Sequence, residues 1–193
     1  MSEIVGRLCR EHRNIGALLD MLERMIDGLE SGSDASGDVG LMRDIMTYMT
    51  RFPDHTHHPM EDLMFQRMRA RGLTPQTEDT IGQLLREHAS LARKGEALRL
   101  ALLRFEDGAP SERPALVAMG RDYVEFLRFH AGLEERTVFV EAESLLGDAD
   151  WTEIERAFEE RTDPVFGPRV DSEFRALYQH IKNTAYLRER GAD

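Results

Sequence analysis

Apolar positions along this chain recur at three- and four-residue steps over long stretches, the period of a helix with one buried face. In the first stretch, residues 2–30, Leu8, Ile15, Leu18, Leu19, Leu22 and Met25 keep that step, and "SGSDASGD" then breaks it. A second stretch runs over 38–71 and stops at "RARGLTPQT", where Gly72 followed by Pro75 is a helix stop signal. The third covers 76–106, up to "EDGAPSERP", and the fourth 112–145, up to "LGDAD". Strand signals are scarce, with little alternation and few β-branched runs. Four long helices with short connections predict an all-α fold, an antiparallel up-down-up-down four-helix bundle over residues 1–147. Beyond it, "DWTEIERAFEE" and "DSEFRALYQHIKNTAYL" predict two shorter C-terminal helices, in an extension over 148–193 expected to pack on the bundle. A homodimer contact through that extension is left open. Pro53 and Pro59 fall inside the second stretch and predict a kink or a broken turn there.

The same pattern repeats. Helix one carries "LCREH" (8–12) and helix three "LLREH" (84–88); helix two carries "HHPMEDLMF" (57–65) and helix four "HAGLEERTVF" (130–139). Each half thus pairs a lone histidine with His-x-x-x-Glu on the next helix, as in a duplicated hairpin. Residues four apart share a helix face. His57 with Glu61, and His130 with Glu134, therefore point together into the bundle, joined by His12 and His88 from the remaining helices. Four imidazoles and two carboxylates in an apolar interior are costly unless something compensates them. Two cations would do so, each taking two histidines and sharing both carboxylates. One such pair alone is weak evidence; two in register with matching "REH" histidines are specific.

The other histidines are expected elsewhere: His55 facing away, and His58 pairing with Asp62 on the surface. Cys9 is expected to be a buried thiol, Met42, Met46, Met49, Met60, Met64 and Met68 core filling, and Glu11 and Glu87 solvent-facing. Tyr123, two turns before His130, is a candidate pocket-lining hydrogen-bond donor or a core aromatic. Gly16 and Ala92, each one turn beyond a lone histidine, would leave space beside the metals.

Composition narrows the partners. The chain has 193 residues, 41% hydrophobic and 32% charged, with a formal charge of −11. That balance argues against nucleic acid and anionic membrane surfaces. No apolar run approaches the roughly 20 residues of a membrane span. With one cysteine and a charged start, "MSEIVGRLCREH", a cytoplasmic location is expected.

On these motifs, over about residues 5–145, the sequence resembles the hemerythrin family, specifically hemerythrin-like HHE cation-binding domains. The resemblance implies a non-haem di-iron centre, bridged by an oxo or hydroxo group, with His12, His57, His88 and His130 as ligands and Glu61 and Glu134 as bridging carboxylates. It further implies that His12 and His130 hold one iron and His57 and His88 the other. Zinc or manganese could substitute, since imidazole and carboxylate donors suit all three. Oxygen-carrying members have a further histidine and an aspartate where this chain has Ala92 and Glu135. The resulting four-histidine, two-glutamate set is similar to di-iron repair proteins of nitrosative stress and argues against simple oxygen carriage. The implied function is binding or sensing of O2 or NO, or handling of reactive oxygen and nitrogen species. The alternatives are a peroxide-decomposing or iron-donating repair enzyme, or iron storage; the implied partner is a small diatomic or peroxide ligand.

Overall fold

A computed structural model describes residues 1–32, 39–108, 112–159 and 161–190. Most of the two breaker segments, 33–38 and 109–111, lies outside the described residues. The chain forms α1 (Glu3–Ser31), α2 (Val39–Phe52), α3 (His58–Arg71), α4 (Pro75–Glu106), α5 (Arg113–Leu133), α6 (Phe139–Leu145), α7 (Asp148–Phe158) and α8 (Arg175–Arg190). There is no strand among the described residues. No described helix is long and apolar enough to cross a membrane.

Local chemistry sets the ends of these helices. Ser2 accepts the Val5 N–H at 3.1 Å and caps α1, while Gly32 closes it in the left-handed region at φ 65°. Thr74 accepts the Thr77 N–H at 3.2 Å, and Pro75 begins α4, where its missing donor costs nothing.

α2 and α3 form one long rod interrupted by a π-turn, Pro53–His57, in which the His58 N–H reaches back five residues to the Pro53 carbonyl. The expected break at the prolines therefore takes the form of a widened turn, accommodating Pro59, which has no N–H to give. A second π-turn, Glu134–Val138, joins α5 to α6, and there the Phe139 N–H reaches the Glu134 carbonyl. No proline marks it. The Thr137 hydroxyl instead donates to the Leu133 carbonyl at 2.6 Å, competing for the acceptor an α-turn would use. These two rods, with α1 and α4, make the antiparallel bundle: α1 lies against α5, α2 against α4, and α4 against α5.

The chain divides into two compact units, Met1–Glu159 and Glu160–Asp193. In the first, α7 packs on α1 and α3. In the second, a 3-10 turn (Ser172–Phe174) leads into α8, and the Asp163 carboxylate accepts the N–H groups of Val165 and Phe166 at 2.8 and 2.9 Å.

The bundle interior has two apolar ends. One holds Leu8, Met60, Met64, Phe65, Met68, Ile81, Leu84 and Phe139; the other holds Leu18, Leu22, Met42, Met46, Met49, Leu91, Leu98 and Leu127, all buried. The methionines are core residues, as expected. Between the two ends lies a layer of buried polar side chains: Glu11, His12, His57, His58, Glu61, His88, His130 and Glu134.

Candidate metal centre

Helical register brings His12, His57, Glu61, His88, His130 and Glu134 to one level of the bundle. Each carboxylate reaches histidines of both hairpins. Glu61 Oε1 lies 3.3 Å from His57 Nε2 and 3.5 Å from His12 Nε2, while its Oε2 lies 3.5 Å from His88 Nε2. Glu134 Oε1 lies 3.3 Å from the Nε2 atoms of both His88 and His130, while its Oε2 lies 3.5 Å from His12 Nε2. The imidazoles fall into two pairs, each with ring centres 4.8 Å apart: His12 with His57, and His88 with His130. This proximity differs from the pairing that the family resemblance implies, His12 with His130 and His57 with His88. Histidines on one hairpin share an oxygen position, and the two glutamates span from pair to pair.

All four Nε2 atoms face this centre, and all four Nδ1 atoms face a carboxylate. His57 Nδ1 lies 2.8 Å from Glu11 and His130 Nδ1 2.8 Å from Glu87, each acid standing just before the lone histidine of the same hairpin. His12 Nδ1 lies 3.0 Å from Glu135 and His88 Nδ1 2.8 Å from Asp62, each acid following a central glutamate of the opposite hairpin. Carboxylates in this position fix the imidazole orientation and raise its basicity toward a metal. Glu11 is therefore buried rather than solvent-facing, and Glu87 is partly covered. Their position beside a histidine in "REH" was the available signal. Beyond them, Phe139 stacks on His12 at 5.6 Å and Phe65 on His88 at 6.1 Å, again crossing between hairpins.

Without a cation, protons balance the charge. Burial opposes protonation of His12, but contacts with Glu135 and Glu61 outweigh it and hold the group at about 10. His88 likewise stands at about 10 despite burial, through Asp62 and Glu134, and His57 at about 9 through Glu61 and Glu11. His130 is raised too, burial being overcome by Glu134. Burial would raise both central carboxyls, yet the histidines hold Glu61 well below the ordinary range and Glu134 at about 2. Even so, both Glu61 oxygens, Glu134 Oε2 and His130 Nε2 are enclosed and complete no hydrogen bond among the described residues. Ionised carboxylates and imidazole nitrogens left over in an apolar interior are what a cation satisfies, and the donor set fits one.

Other expectations fare differently. His58 is buried, not on the surface, and Asp62 serves His88 instead. The His58 ring stacks on His88 at 4.4 Å, its Nδ1 is 3.4 Å from Asp54, and burial lowers its pKa to about 4. The widened turn before it leaves both His57 and His58 facing inward. His55 is exposed, as expected, and Cys9 is half-buried rather than buried. Tyr123 is buried beside Gly95, where an added Cβ would come within 3.3 Å of its ring, and burial pushes its phenol up. A cleft of about 210 Å³ opens beside His12, lined by Gly16, Leu127, Arg128, Ala131 and Glu135 among others. An added Cβ on Gly16 would meet nothing within 4 Å, so the expected space exists on this side.

Fold and site together define a cation-binding helical bundle. Compared with known families, residues 3–142 match the hemerythrin HHE cation binding domain, and the chain belongs to that family. No curated protein matches it closely enough to count as a relative.

Proposed function

We propose that this protein is a dinuclear iron protein that binds a small diatomic ligand, O2 or NO, or handles reactive oxygen and nitrogen species. In this reading His12 and His57 hold one ion, His88 and His130 hold the other, and Glu61 and Glu134 bridge them. The observation that carries it is the pair of enclosed glutamates, each with one oxygen toward either histidine pair and three of their four oxygens without a hydrogen bond. A structural layer would have paired those atoms. Iron, when bound, supplies the redox electrons that no side chain here can supply; zinc or manganese would fill the same donors.

The chain's own residues do the rest. Glu11, Glu87, Asp62 and Glu135 orient the imidazoles so that Nε2 stays free for a cation. The two apolar ends exclude bulk water, and the cleft beside His12 is large enough to admit a diatomic or peroxide. Metal analysis of protein purified without added metal, with its visible spectrum, tests the reading. Two irons per chain and a reversible spectral change with O2 or NO are expected. Peroxide turnover that disappears in His57→Ala would replace binding by catalysis, and iron retention with neither response would leave storage.

A further inference from the structure

The solvent side of the rod made by α5 and α6 carries groups that the bundle does not use. Phe129 and Val140 stand there 55% and 64% exposed. Steps of four, three and four residues lead from Glu125 through Phe129 and Gly132 to Arg136, so these positions share one side of the helix. That side lies opposite the buried Leu116, Leu127 and Glu134. Neighbouring charges have partners within the chain: Asp122 pairs with Lys94, Arg128 with Asp20 and Glu23, and Glu135 with His12. Glu125 and Arg136 form no ion pair among the described residues. Gly132 is as little explained by its own chain. Its φ is not positive, and an added Cβ would meet only the guanidinium end of Arg136, a flexible side chain. Glycine weakens a helix interior relative to alanine, so nothing within the chain favours it here.

These positions match themselves in one arrangement. With a second copy laid antiparallel about a two-fold axis between His130 and Ala131, Phe129 of each copy falls opposite Gly132 of the other. In the same register Glu125 falls opposite Arg136. A large ring meets a residue without a side chain, and an unpaired acid meets an unpaired base. Arg121 falls opposite Val140, whose methyl groups its aliphatic stem can cover. A two-fold contact requires this reciprocity, each residue meeting the partner of its own partner. An unrelated protein would not require it. We propose that this face of α5 and α6 is a homodimer interface, packed antiparallel across Phe129 and Gly132 and flanked by two Glu125–Arg136 ion pairs. The seam from Arg121 to Val140 is about 28 Å long. It lies at the low end of specific interfaces, so the dimer is a micromolar one. The contact does not involve the buried metal layer.

Sedimentation equilibrium on the full chain tests it. Wild type is expected to dimerise with a micromolar Kd. Glu125→Arg sets base against base across the axis, and Arg136→Glu sets acid against acid. Each is expected to weaken the dimer at least about tenfold, because like charges facing one another are costly. Mixed in equal amounts, the two variants present opposite charges, and they are expected to form a heterodimer within about threefold of wild-type affinity. Phe129→Ala is expected to weaken the dimer at least about tenfold, as loss of a central aromatic anchor does. The substituted side chains are exposed, and circular dichroism matching wild type shows that the variants fold. A wild type that stays monomeric up to about 1 mM overturns the proposal and leaves the face to a different protein. Single variants that dimerise as wild type does, or a mixture that fails to associate, overturn this register.

Discussion

The two histidine pairs are alike in what they touch and unlike in what surrounds them. Each has ring centres 4.8 Å apart, each is backed by one acid from its own hairpin and one from the other, and each carries a stacked phenylalanine. Yet one pair has a cleft at its side and the other has His58. The donors repeat between the halves while the walls around them differ.

The strongest way to break this comparison is to remove what both pairs share. Glu134 touches three of the four histidines, so Glu134→Ala should cost both ions, whereas His57→Ala should cost one; metal content after gel filtration distinguishes them. Next comes pH. In the metal-free protein the pKa values of His12, His57 and His88 are raised from 6.5 to about 9 or 10, so their contribution to stability is complete below about 6.5 and lost as pH rises toward 10. The thermal midpoint of chelated protein should fall between pH 7 and 10 by on the order of 5 °C, since each kcal/mol moves it by about 2–4 °C in a chain of this size. Metal-loaded protein, which has already lost those protons, should show little of that fall.

Replacing Glu11 or Glu87 by Gln sharpens the symmetry. Each removes the acid behind one histidine of one pair, and each should weaken a single ion by about 10- to 100-fold in chelator competition. A large effect from one and none from the other would deny the equivalence of the pairs. The smallest effect is expected from Gly16→Leu, which fills the cleft without touching a donor. Metal content should stay at two ions while azide association on cobalt-loaded protein slows severalfold; an unchanged rate would mean that ligands enter by another route.

Much of this was legible in the chain because helices turn spacing into direction. The element bounds follow from glycines, prolines and the apolar period, and the meeting of six side chains follows from two four-residue spacings and a repeat. What escaped depended on the three-dimensional neighbours of single residues. Glu11 looked like a solvated acid because its partner, His57, lies 46 positions away. A regular α-helix rotates His58 about 100° from His57 and so points it to the surface, and the widened turn that holds both inward has no pattern of its own beyond the prolines. Which histidines stand together depends on which helices adjoin, something no spacing within one helix can reveal.

The π-turn at Glu134–Val138 has a consequence for chain length. From His57 to Phe65 is eight residues, and from His130 to the equivalent Phe139 is nine. An extra residue in a regular helix would swing everything after it through about 100° and carry Phe139 off His12. The wide loop of backbone swallows the surplus, so the aromatic lands where its counterpart does. The one surplus residue at this spot is thus nearly silent to the interior, while its deletion would straighten the helix and give His130 and Phe139 the eight-residue spacing of His57 and Phe65.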